Sequence, residues 1–182
     1  MKRAILTPAA LPTPALAELK QWLGITTGAD DAPLTALLTA ALETCEAFTG
    51  ILPIEAVCDE LLPACSGWQK LATRPVLAIT TLHAINADGA CVALPCSSWE
   101  ADLDADGTGR VRASLLGTES FLSVRFIAGL ASKWEALPDG FRHGLIRLAA
   151  HQHRGRDDDA AAPLPPASVA ALWRPWRRMR LA

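Results

Sequence analysis

No apolar run in this sequence approaches the roughly 18 residues that a membrane span needs, so a transmembrane helix is not its organising element. There is no G-x-x-x-x-G-K-[ST] loop, no G-x-G-x-x-G, no G-x-S-x-G and no H-E-x-x-H. The local signatures of phosphate cradling, dinucleotide binding, serine hydrolysis and zinc proteolysis are therefore missing, and the chain reads as a non-enzyme. A basic surplus is missing too: the formal net charge is −2, whereas a general nucleic-acid binder carries excess Lys and Arg. The cysteines Cys45, Cys58, Cys65, Cys91 and Cys96 are odd in number and form no C-x-x-C pair. Their spacing supplies no zinc framework, and they read as reduced thiols of a cytoplasmic protein. The basic start MKRAILTPAALPTP is broken by Pro8, Pro12 and Pro14, which leaves no apolar stretch for a signal peptide.

What is present is 182 residues, 51% apolar and 20% charged, enough for one good core or for one core and a small subdomain. The spacing predicts a helix over 13–23, with Thr13 as cap, Pro14 in the first turn, Gly24 at the end and Leu16, Leu19 and Leu23 on one face. A second helix is predicted over 31–49. Asp31 is its expected cap and Gly50 follows its end. Leu34, Leu37, Leu38, Ala41, Cys45 and Phe48 form its apolar stripe. The short connection makes these two an antiparallel pair.

After Pro53 the pattern becomes β-like, with about six short strands. Asn86-Ala87-Asp88-Gly89 reads as a hairpin turn and Asp104-Ala105-Asp106-Gly107-Thr108-Gly109 as another. A third helix starts near Pro138-Asp139 and runs to about His153, with Phe141, Leu145 and Leu148 on one side. The organisation expected is an α+β chain that is mainly an α-helical bundle, with a small β-rich insertion and an extended C-terminal helical tail. Its segments are the helical pair 13–50, the insertion 51–130, the third bundle helix 137–155 and the Pro-rich linker and tail 156–182.

No cofactor or metal site is expected. Asp102, Asp104, Asp106 and Gly107 imitate the opening of a calcium loop, but the twelfth position, which must supply a bidentate acid, is Ala113. His151 and His153 are two residues apart, so on a helix they point in different directions.

The tail carries the most information. Pro163, Pro165 and Pro166 interrupt the chain, and a short helix is expected from about Ala167. Val169, Leu172, Trp173 and Trp176 fall on one face, with Arg174, Arg177 and Arg178 on the other and Arg180 beyond; Pro175 should end or kink the helix. Large apolar side chains beyond a hinge are expected to lie off the main core, so a chain cut at Ala167 is expected to stay folded. The residue types allow four readings: a membrane-surface helix, a nucleic-acid-binding segment, an anchor in a protein groove, or docking on the chain's own domain. Trp and Arg are the side chains enriched at binding hot spots, which favours the protein groove. The alternative function is a membrane-surface or nucleic-acid-binding module built on the same Trp/Arg tail.

The order of segments resembles a family. The stretches that carry the likeness are Leu19-Lys20-Gln21-Trp22-Leu23-Gly24-Ile25, Asp30-Asp31 before a helix ending Cys45-Glu46-Ala47-Phe48-Thr49-Gly50, and Arg74-Pro75-Val76-Leu77-Ala78-Ile79-Thr80. Ala87-Asp88-Gly89, Val124-Arg125-Phe126-Ile127-Ala128-Gly129-Leu130, Leu137-Pro138-Asp139-Gly140-Phe141-Arg142 and Trp173-Arg174-Pro175-Trp176-Arg177-Arg178 follow in order. Together they resemble the head–tail connector (adaptor) proteins of long-tailed phages, prophages and gene transfer agents. One departure is Gln152-His153, where an aromatic is expected after His151.

The resemblance implies a structural protein of a virion or phage-like particle, made in the bacterial cytoplasm and placed at the head–tail interface. It implies a ring, commonly a dodecamer, between the portal protein and the stopper, head-completion or tail protein. Such a ring continues the DNA channel and touches passing DNA transiently, without a membrane. It also implies that the C-terminal segment reaches the portal, through Val169, Leu172, Trp173, Arg174, Trp176, Arg177, Arg178 and Arg180.

Overall fold

The computed structural model describes residues 2–7, 13–114, 117, 119–155 and 165–177. The chain divides into two compact units, one of Met1–Ala9 and Glu55–Leu130, the other of Ala10–Ile54 and Ala131–Ala182.

The second unit is helical. Helix α1 spans Thr13–Leu23 and α2 spans Asp31–Thr49. Gly24 and Gly50 close them with φ of +73° and +71°, the left-handed conformation that a side chain disfavours. Asp31, expected as the α2 cap, is instead its first helical residue. Asp30 holds the cap position without a side-chain bond, and Asp31 Oδ1 accepts from Lys20 Nζ at 2.6 Å, tying α1 to α2. Helix α3 spans Asp139–Arg154 and α4 spans Ala167–Trp173, followed by a 3-10 turn, Arg174–Trp176. The apolar stripes read from sequence meet here: Leu19, Leu34, Leu38, Ala41, Cys45, Leu145 and Leu148 are buried, while Leu16, Leu23 and Phe48 are half-buried.

The first unit is a sheet protein in its own right. Strands β1 (Lys2–Thr7), β2 (Ala56–Pro63), β4 (Val76–Asn86), β5 (Cys91–Ala93) and β8 (Glu119–Ala128) form one antiparallel sheet in the order β1-β2-β8-β4-β5. Strands β3 (Gln69–Lys70), β7 (Gly109–Ala113) and β6 (Trp99–Leu103) form a second. Burial alternates along β2 and β8, so Cys58 and Leu62 point inward with Leu122, Val124 and Phe126, as a sheet with one covered face requires. The Asp104-to-Gly109 turn closes the β6–β7 hairpin. At Gly107 φ is +78° and a Cβ would stand 2.9 Å from Pro75 Cα, so only glycine fits.

The expectation of a mainly helical bundle with a small β insertion is corrected. Among the described residues helix accounts for 39% and strand for 32%, in two antiparallel sheets and four helices, so the fold is α+β without being mainly helical. The physical reason is strand length and one unread strand. β4 and β8 run for 11 and 10 residues and pair along most of that length. The N-terminal residues 2–7, read only for a leader, add β1 beside β2. Alternation in a single run cannot reveal that a segment some fifty residues away completes its ladder.

Cys45 and Cys58 are buried, whereas Cys65, Cys91 and Cys96 are exposed. Burial pushes the Cys45 thiol far above its ordinary value, because the thiolate would lose its hydration. In the native protein a thiol-disulfide reagent is therefore expected to titrate Cys65, Cys91 and Cys96 rapidly, and Cys45 and Cys58 only after denaturant is added. Fast modification of Cys45 in the native state would contradict its placement.

Candidate partner-binding surface

The tail residues singled out in the sequence do not stand apart from the helical unit. Val169 is 1% exposed and Trp173 is fully buried. Helix α4 opens at Pro166, whose carbonyl accepts from the Val169 and Ala170 N–H groups, both at 2.9 Å. With this start and the 3.6-residue period, Val169 and Trp173 share one face. The Trp173 indole lies between Phe141 of α3 and Phe48 of α2, at ring-centroid distances of 6.3 and 6.2 Å. Its Nε1–H donates to the Phe141 carbonyl at 3.2 Å, which satisfies a buried polar group. The expectation that these side chains lie off the core is thus overturned for Val169 and Trp173.

The slot depends on a glycine that the sequence reading did not single out. A Cβ at Gly144 would stand 2.8 Å from Trp173 Cε2 and closer still to its Nε1. Gly140 lies one turn earlier, and a Cβ there would meet the edge of Trp176 at 3.8 Å. Two glycines four apart inside a helix are unfavourable by propensity, and that spacing was the available signal for a close approach by another element.

The remaining tail residues face outward to different degrees. Trp176 is half-buried, edge-on to Phe141 at 5.3 Å and 86°. Leu172 is half-buried and borders a shallow depression of about 440 Å³, shared with Glu18, Asp139, Gly140, Arg142 and His143. Arg174 and Arg177 are exposed, and the Arg177 guanidinium sits over the Phe48 ring at 4.9 Å. Arg178, Arg180 and most of the linker lie outside the described residues.

The surroundings of the depression are polar and ordered. Glu18 accepts from Trp134 Nε1 at 2.9 Å, and Arg142 lies 3.5 Å from Glu18 and 3.0 Å from Asp139. Trp22 on α1 is 45% exposed and meets His143 edge-on at 5.2 Å. Trp22 thus meets His143, which lines the depression with Leu172 and Arg142, and Trp176 lies over Gly140, which lines it too. That composition suits a protein partner.

The carboxylates that imitated a calcium loop are committed elsewhere: Arg110 Nη2 bridges Asp102 and Asp104, each at 2.7 Å. Among the described residues no three His, Cys, Asp or Glu side chains gather as metal ligands would. Among the same residues no helix is long and apolar enough to cross a membrane.

Comparison with solved structures gives full-length likenesses. The chain is similar, at 29% identity and a TM-score of 0.78, to a chain in the neck of an empty gene transfer agent particle computed with C6 symmetry. It matches a chain of the virion of a native gene transfer agent particle equally well, at 29% identity and a TM-score of 0.78. A chain in the neck of a native particle, computed with C12 symmetry, follows at 29% and 0.76. In all three cases the match covers 100% of this chain and 98% of the other. No family model matches the chain, and no curated protein matches it in sequence. These likenesses support the coarser part of the sequence resemblance, a structural, non-enzymatic neck component of a phage-like particle.

Proposed function

We propose that this protein is a head–tail connector of a tailed-phage-like particle, such as a phage, prophage or gene transfer agent. It forms a ring, twelvefold in the particle, between the portal and the stopper or tail, and continues the DNA channel. The observation that carries this reading is the end-to-end likeness, at 29% identity, to chains in particle necks analysed with C6 and C12 symmetry. A net charge of −2 suits a wall past which DNA must slide, since a strongly basic wall would hold the phosphates. The tail is the portal-binding element in this reading. Val169, Leu172, Trp173 and Trp176 supply apolar anchors, and Arg174, Arg177, Arg178 and Arg180 supply charge for portal carboxylates or passing DNA.

Mixing the purified chain with the portal ring of the same particle tests the reading. The expected product is a symmetric ring of this chain seated on the portal, seen by electron microscopy. Leu172→Ala and Trp176→Ala, which are only half-buried in the free chain, are each expected to weaken portal binding by about 2 kcal/mol or more. Substituting the exposed Arg174 should cost less and depend on salt. A chain that forms no complex with the portal, or whose affinity ignores both apolar substitutions, would overturn the assignment.

A further inference from the structure

The tail cannot hold two grooves at once. Trp173 is buried between Phe48 of α2 and Phe141 of α3 of its own subunit and Val169 is buried one turn before it, and under the reading above the same side chains fill grooves of the portal. We propose that the groove formed by Phe48, Phe141 and Gly144 is a latch, which keeps the portal-binding tail sheathed in the free subunit and releases it when the portal competes for it. This rests on the tail being the portal-binding element.

Three features of the groove support a latch. It is shaped for the indole, because only the missing side chain at Gly144 leaves room for the Trp173 ring. The hold is local: α4 has seven residues, too short to persist as a helix without its docking face. Its hydrogen bond to the body is the one from Trp173 Nε1 to the Phe141 carbonyl. A short terminal element fixed by a few contacts opens at lower cost than the whole unit unfolds. Finally, the sheath covers the most apolar part of the tail and leaves Arg174 and Arg177 exposed. A partner with carboxylates can therefore engage the arginines before the tryptophan leaves its slot.

The latch has a quantitative consequence. If the binding-competent tail is open in a fraction f of free subunits, the apparent Kd rises by 1/f. An open fraction below about 1%, as the full burial of Trp173 implies, weakens portal binding by roughly a hundred-fold or more relative to an unsheathed tail. Sheathing also hides an exposed Trp before assembly, when it would otherwise invite aggregation.

Gly144→Ala separates latch from fold, since alanine favours the interior of α3 while its methyl group occupies the place of the indole. The full-length protein, the full-length Gly144→Ala variant and a peptide of residues 165–182 are compared for binding to immobilised portal. Circular dichroism reports the fold, and chymotryptic cleavage after Trp173, which is fully buried while the tail is docked, reports tail opening. The peptide and the variant are both expected to bind at least ten-fold more tightly than the full-length protein, with the variant folded and its tail open. A folded, open variant with the parent's affinity, beside a peptide that binds, overturns the latch and leaves the tail's role standing. A peptide that does not bind overturns the tail's role and the latch with it. Should the variant fail to fold, the peptide decides: tighter binding than the full chain supports the latch, and equal or weaker binding overturns it.

Discussion

Trp173→Ala is expected to destabilise the helical unit by about 3–5 kcal/mol, the cost of deleting a fully buried large aromatic. The indole is 0% exposed and lies between Phe48 and Phe141, and its N–H bond to the Phe141 carbonyl is lost with it. Gly144, beneath the indole, has no side chain to fill the cavity. Trp176→Ala removes a half-buried ring and should cost about 1 kcal/mol or less beyond its area. Urea unfolding followed by circular dichroism measures both. Equal effects at the two positions, or a Trp173 effect below about 1 kcal/mol, would mean that the tail does not belong to this core. By the same logic, a chain cut at Ala167 loses Val169 and Trp173 and is expected to be less stable than the full chain.

In the sheet unit, Glu60→Ala is expected to cost about 3–6 kcal/mol, since hydrogen bonds to a charged group contribute about 1.5–3 kcal/mol each and the freed donors stay buried. Glu60 on β2 is 0% exposed. Its carboxylate accepts from the Ala72 N–H at 2.9 Å, the Thr73 N–H at 2.8 Å and the Thr73 hydroxyl at 2.6 Å. Arg3 of β1 adds a bond to the same hydroxyl at 3.3 Å. One side chain thus holds the segment after β3 against β2 and reaches toward β1. Glu60→Gln keeps the shape and part of the bonding, and should cost less than the alanine variant. A neutral Glu60→Ala in thermal unfolding would show that water replaces the carboxylate, and that the segment 71–74 is held by its apolar contacts instead.

Much of the local structure was legible in the chain itself. Helices α1, α2 and α3 start and stop where Pro14, Gly24, Gly50 and Asp139 signal. The Asp88-Gly89 and Asp106-Gly107 turns take the positive φ that glycine allows. The tail was legible as a short helix with Val169 and Trp173 on one face and Pro175 just beyond its end. These signals act over one or two turns of chain, so one sequence suffices to read them.

Other features were invisible because they join distant residues. Strand β1 exists only by pairing with β2, more than fifty residues on. A basic start ahead of Pro8 gives no sign of such a ladder. No local signal marks Glu60 as buried, and its carboxylate is held by donors 12 and 13 residues away. The role of Gly144 depends on Trp173, nearly thirty residues on, which occupies the space its side chain would take.

By itself the sequence determined the elements and the chemistry of the tail, because caps, turns and periodicity are short-range. Only the tertiary structure decided that the β region is a full sheet unit and that the tail's tryptophan lies in a groove of its own subunit. Both outcomes depend on which distant surfaces exclude water from one another.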